Sequence, residues 1–124
     1  MGGFFVYNIR VPNKNTFMNV LPIPQRVEMW ACDLVDALEA NYTSRYPDSS
    51  SPVKFETKVG KKYIKIIQVD GGVHAFIDKN TGEVYKPASW KSPAKHVRYD
   101  LRIINQREKC LANADWAGGY LYLR

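Results

Sequence analysis

Between residues 53 and 86 the chain alternates apolar and polar side chains in short runs, each closed by a turn signal. No other feature constrains the fold as strongly, because a period of two assigns successive side chains to opposite faces of a strand. Residues 53–59 and 62–69 form two such runs around Gly60-Lys61, whose leading glycine suits a type II′ turn in a two-residue hairpin loop. Asp70-Gly71-Gly72-Val73 supplies a second reversal. Asp78-Lys79-Asn80-Thr81-Gly82-Glu83 supplies a third, leading into Val84, Tyr85 and Lys86. The pattern predicts an antiparallel meander of about four strands.

Helical signals flank this region. Pro24 stands where a helix can start, and Val27, Trp30, Ala31, Leu34, Val35, Leu38 and Tyr42 recur at intervals of three and four. Glu28, Asp33, Asp36 and Glu39 fall between them and predict an acidic outer face, the surface least suited to a polyanion. Residues 47–52, rich in proline and serine, read as a loop. Ser92-Pro93 has the N-cap and N1 form of a helix start, so a last helix is expected between Pro93 and Ala114 with Leu101, Ile104, Cys110 and Leu111 turned inward. Gly118-Gly119 then breaks it before the tail Tyr120-Leu121-Tyr122-Leu123. Ahead of the first helix, residues 4–11 are rich in β-formers and end at Pro12, which predicts one more strand.

With 124 residues, 45% hydrophobic and 24% charged, these elements fit a single α+β domain over residues 1–124. The meander would pack with one helix from the N-terminal half and one C-terminal helix. No apolar run approaches the ~20 residues that span a bilayer, and the first residues lack the basic region of a secretory signal. A cytosolic product without membrane contact is the expectation.

The turns also fix which side chains share a face. One face carries Val53, Phe55, Val59, Ile64, Ile66, Ala75, Ile77 and Val84 and is core. The other carries Lys54, Glu56, Lys58, Tyr63, Lys65, Ile67, Val69, His74, Phe76 and Tyr85. Pairing Lys58 with Tyr63, Glu56 with Lys65 and Phe76 with Tyr85 gathers lysines at one end and rings at the other. Rings interleaved with lysines are what single-strand binding needs, since bases stack on rings while ammonium groups neutralise phosphates. A second core face, covered by a helix or by residues 4–11, is the competing account of Ile67, Val69, Phe76 and Tyr85.

Charge is distributed unevenly. The chain carries +6, yet residues 1–52 hold four basic and five acidic side chains, whereas residues 53–124 hold fourteen basic and seven acidic ones. Such asymmetry suits a polyanionic partner, and solubility is its blander explanation. Lys86, Lys91, Lys95, Arg98 and Arg102 cluster with Trp90 and Tyr99 in the second half. A helix starting near Pro93 would aim free N–H groups at an anion between Lys91 and Lys95.

Catalytic signals are weak. His74 and His96 accompany no nucleophile-elbow motif, no phosphate-binding glycine loop occurs, and Cys32 and Cys110 lack zinc-ligand spacing and read as small buried residues. Asn41-Tyr42-Thr43 matches a glycosylation sequon without a secretory signal beside it. Pro47-Asp48 followed by Glu56-Thr57-Lys58 matches the short PD…ExK string of metal-dependent nucleases, with Glu39 as a further carboxylate. A Glu56/Lys65 cross-strand pair explains Glu56 more simply. No metal or other cofactor is expected.

Residues 73–91 (VHAFIDKNTGEVYKPASWK), continued by Pro93-Ala94-Lys95 and Val97-Arg98-Tyr99, and residues 114–122 (ADWAGGYLY) resemble segments of small uncharacterised proteins of tailed bacteriophages. The resemblance covers about the last half of the chain. It implies a phage or phage-like origin and a place in the host cytoplasm, and it brings no activity with it. The order helix, three strands, helix is similar to that of the double-stranded RNA-binding domain. That family opens its last helix with a compact lysine cluster, whereas here a hairpin and a Pro/Trp loop intervene, so its RNA contacts are not carried over.

The sequence thus points to a non-enzymatic protein that binds nucleic acid chiefly through phosphate. Lys54, Lys58, Tyr63 and Lys65 would act on the sheet, and Trp90, Lys91, Lys95 and Arg98 on the loop. The rival reading is a protein–protein module that docks on a host or virion protein through Trp90, Trp116 and Tyr120, with a nuclease a distant third. Unpaired strand edges would also allow two copies to pair as a homodimer.

Overall fold

A computed structural model of the protein describes residues 20–122. Helix α1 (Ile23–Arg45) is followed by β1 (Phe55–Val59), β2 (Tyr63–Gln68), β3 (Val73–Asp78), β4 (Glu83–Tyr85) and β5 (Tyr99–Asp100). Helix α2 (Ile104–Asn113) and a 3-10 turn (Gly119–Leu121) complete the order. The five strands form one antiparallel sheet in sequence order, β1-β2-β3-β4-β5. The expected α+β class is observed. The expected strand over residues 4–11 lies outside the described residues.

Helix α1 forms where its periodicity places it, with Pro24 in its first turn, where a missing N–H costs nothing. Val27, Ala31, Leu34 and Leu38 are fully buried against Ile64, Ile66, Ile77 and Val84 of the sheet. Each large aliphatic buried this way contributes roughly 1.5–3 kcal/mol. Glu28 and Asp36 face water as expected, but Glu39 turns inward, where a carboxylate oxygen accepts the Phe55 N–H at 2.8 Å and pins the start of β1 to the helix. Cys110 is buried, which pushes its thiol up to about 12. Cys32 is exposed, contrary to expectation, because it shares with Glu28 and Asp36 the solvent side of α1.

Three features of the sheet depart from the sequence reading. The first hairpin turns at Lys61-Lys62 rather than at Gly60-Lys61: the Gly60 N–H donates to the Tyr63 carbonyl at 2.8 Å, and Val59 pairs with Ile64. A shift of two residues preserves every face but changes every neighbour, so Lys58 opposes Lys65 and Glu56 opposes Ile67. The expected Lys58/Tyr63 and Glu56/Lys65 pairs do not form, whereas Phe76 and Tyr85 pair as expected.

Second, the register slips between Ile66 and Ile67, a bulge that leaves His74 without a directly paired partner. His74 is thereby turned to the core side, 5.2 Å from the Phe55 ring and hydrogen-bonded to Tyr120, instead of sharing a face with Phe76.

Third, no helix starts at Pro93. Pro87 and Pro93 bridge each other, the Ala94 N–H donates to the Lys86 carbonyl, and the Arg98 N–H donates to that of Val84. The segment continues the sheet and delivers β5. Its backbone groups are satisfied by β4, so the helix waits until Ile104. Leu101 is buried just ahead of α2, and Ile104, expected inside, is 61% exposed. Gly82, at φ +80°, makes this addition possible: a Cβ there would lie 3.1 Å from Arg102 Cγ, and its carbonyl accepts the Leu101 N–H.

Candidate nucleic-acid interface

The sheet face away from the two helices divides into two parts. Phe76 is fully buried and Ile67 nearly so, whereas Lys54, Glu56 and Lys58 are exposed. Between them lie Tyr63, Lys65 and Tyr85, each half-buried. Tyr63 meets Phe76 edge-on at 5.6 Å and Tyr85 at 6.3 Å. The Tyr85 hydroxyl donates to Glu83 at 3.1 Å, and burial together with that carboxylate pushes it up to about 12, so it stays a neutral phenol. The rings of this face pack on one another, and its lysine end is exposed.

Lys58 and Lys65 oppose each other directly across β1 and β2. Like charges in that position repel. Lys65 has aromatic rather than carboxylate partners among the described residues. Its ammonium lies 5.7 Å from the Phe76 ring centroid and 4.8 Å from that of Trp90. That second contact joins the sheet to the basic loop.

The loop itself is tightly built. The Pro87/Pro93 bridge closes it, and the Ala88 and Ser89 N–H groups both donate to the Ser92 carbonyl. The Ser89 hydroxyl oxygen accepts the N–H groups of Lys91 and Ser92. Trp90 and Lys91 occupy its tip, exposed, with Trp90 49% accessible even beneath the Lys65 ammonium. These hydrogen bonds fix the loop backbone that carries the ring.

The remaining sequence-predicted residues separate. Lys54 is exposed but precedes β1, about 13 Å along the strand from Lys58 at 3.3 Å per residue. Lys95 is exposed beyond the loop. Arg98 is spent on the backbone: its guanidinium donates to the carbonyls of Leu121 (2.5 Å), Lys95 (2.7 Å) and His96 (2.6 Å). It braces the strand-β5 approach against the 3-10 turn. The anion site expected at a helix start between Lys91 and Lys95 is absent with that helix. Sequence reasoning missed Lys62, whose ammonium stands 5.4 Å from the Tyr63 ring; placing the hairpin turn at Lys61-Lys62 would have exposed both lysines beside Tyr63.

The other expected constellations do not assemble. Trp116 packs edge-on against Tyr42 at 5.1 Å and Tyr120 against His74 at 5.6 Å, while Trp90 lies with Lys65, so the three rings form no single anchor cluster. The backbone N–H of Trp116 donates to the Asn41 side chain, the residue of the sequon. Asp48 is in the exposed loop after α1, and Glu39 is engaged with Phe55. Among the described residues no three His, Cys, Asp or Glu side chains gather as a metal site would require, and no helix is long and apolar enough to cross a membrane.

Together these elements define an α+β protein with two helices on one face of an antiparallel meander, and with lysines and a loop-borne tryptophan on the other. The chain belongs to a family of unknown function, DUF7717, whose family model matches residues 7–123. No curated protein and no solved structure matches it.

Proposed function

We propose that the protein binds nucleic acid through the Lys58/Lys65/Trp90/Lys91 surface without catalysing a reaction on it. The Lys65–Trp90 contact carries the reading, since it sets an exposed ring beside an ammonium group whose partners among the described residues are aromatic. Phosphates would lie on Lys58, Lys62, Lys65 and Lys91, and an unpaired base on the open side of Trp90. Each stacked base is worth about 1–3 kcal/mol, and each neutralised phosphate adds about one unit of salt dependence. A binder of this kind prefers single strands, whose bases are free to stack.

Fluorescence anisotropy with single-stranded DNA, duplex DNA and RNA at several salt concentrations tests this reading. Tighter binding of single strands, with log K falling steeply against log salt, is the expected result. No binding at low salt would sink it and turn attention to a protein partner. Product analysis after incubation with Mg²⁺ checks the non-enzymatic part, because strand cleavage lost in Glu56→Ala would restore the nuclease reading.

A further inference from the structure

On the helix side of the sheet, a cavity of about 350 Å³ opens between the ends of β2, β3 and β4 and the 3-10 turn. Its walls include Gln68, His74, Lys86, Trp116, Gly118 and Tyr122. Trp90 is not among them, so this is a separate site from the lysine face. The volume is at the lower end of small-molecule pockets and suits one compact ligand rather than a length of chain.

The lining sorts by chemistry. Trp116 and Tyr122 offer aromatic surface, and Tyr122 is 60% exposed. Lys86 supplies the only formal charge of the lining residues, and its ammonium stands 4.9 Å from the Tyr122 ring centroid with no carboxylate in the lining to neutralise it. Gln68 and His74 supply neutral hydrogen-bonding groups. His74 shares Nε2 with the Tyr120 hydroxyl at 2.8 Å, and its Nδ1 has no hydrogen-bond partner among the described residues. Burial keeps that imidazole neutral, with a pKa lowered to about 4, so it adds no second charge near neutral pH. Gly118, at φ +87°, brings bare backbone to the wall.

A neighbouring hollow of about 550 Å³ shares Tyr122 but has both Asp115 and Lys109 in its lining. An anion is disfavoured there by the acid, whereas Asp115 is not in the wall of the Lys86 cavity and acts on it only through a weaker pull on His74.

We propose that the Lys86 cavity binds a single nucleoside monophosphate, free or as the 5′ end of a strand, with its base against Trp116 and Tyr122 and its phosphate on Lys86. Planar surface, one cation, an amide and an imidazole in a space of this size match a base, a phosphate and the base's polar edge. The strand-end form rests on the nucleic-acid reading above; the free-nucleotide form does not.

Amide chemical shifts of the full chain, titrated with each 5′-mononucleotide, each nucleoside and inorganic phosphate, test the proposal. Saturable shifts at Gly72, Ala117 and Gly118 are expected with at least one mononucleotide, about tenfold tighter than with its nucleoside or with phosphate alone. Lys86→Ala should remove the advantage of nucleotide over nucleoside, and Tyr122→Ala should weaken both; Tyr122 is largely exposed, so that variant keeps the test alive if the first does not fold. Absence of saturable shifts, equal shifts from phosphate alone, or unchanged nucleotide affinity in Lys86→Ala overturns the proposal. Oligonucleotides carrying a 5′-phosphate or a 5′-hydroxyl separate the two sources: a preference for the phosphate assigns a strand end, and equal affinity with retained mononucleotide binding assigns the free nucleotide. Oligonucleotide anisotropy on the same sample separates the two failures, since a silent cavity with bound oligonucleotide sinks only this site.

Discussion

The Lys65 ammonium stands 4.8 Å from the centroid of the Trp90 ring, so a residue in the second strand and a residue at the tip of a loop twenty-five positions later form one surface. Trp90 is 49% exposed and belongs to no core cluster. Trp90→Ala is therefore expected to weaken single-strand binding by about 1–3 kcal/mol while leaving the unfolding midpoint close to that of the parent protein. Anisotropy and thermal melting of the same preparation check both halves; a large stability loss with unchanged affinity would make Trp90 a packing residue.

Lys58 and Lys65 repel across the β1–β2 ladder. Lys58→Gln should therefore move stability and binding in opposite directions. Stability is expected to rise by a few tenths of a kcal/mol up to about 1 kcal/mol as the like-charge contact disappears. The slope of log K against log salt should fall by about one unit. Urea unfolding and a salt series on one variant measure both.

Arg98 donates to the carbonyls of Leu121, Lys95 and His96. Arg98→Ala should cost about 1–3 kcal/mol of stability, because hydrogen bonds from a charged donor are lost at a half-buried site. The salt slope of nucleic-acid binding should not change. A reduced slope in a folded Arg98→Ala variant would show that the guanidinium reaches phosphate.

His74 is buried, and burial lowers its pKa from 6.5 to about 4, against a weaker opposing pull from Asp115. Between those values the unfolded chain holds a proton that the native protein refuses. Stability from this group is thus complete above about pH 6.5, declines as the pH falls, and is lost by about pH 4, a total on the order of 3 kcal/mol. Urea unfolding at pH 7 and pH 4.5 should show a larger drop in the parent protein than in His74→Gln, whose amide does not titrate. Equal drops would place the imidazole in contact with water.

Much of the fold was legible along the chain. Helix α1 declares itself because three- and four-residue spacing makes an apolar stripe whatever the stripe packs on. The strands declare their faces because parity survives a turn moved by two residues, which is why Phe55, Ile64, Ile66, Ile77 and Val84 are core as expected even though Lys58 has a different neighbour. The residues able to meet an anion or stack a base were equally visible as residue types.

Tertiary structure decided what depends on hydrogen bonds between distant residues. Ser92-Pro93 has the local form of a helix start, but the free edge of β4 takes the Arg98 N–H and the chain becomes a strand instead. A bulge that no local signal announces carries His74 across the sheet to Tyr120. Arg98 is a bracing residue rather than a free cation because the Leu121 carbonyl happens to come within reach. Sequence by itself determined which side chains share a strand face or a helix stripe wherever the period runs unbroken, as at Phe55, Ile64, Ile66 and Ile77 but not at His74, since periodicity is local. Which of them meet across the fold, Lys65 with Trp90 above all, was settled by long-range pairing, because the free energy of those contacts exists only once the sheet has assembled.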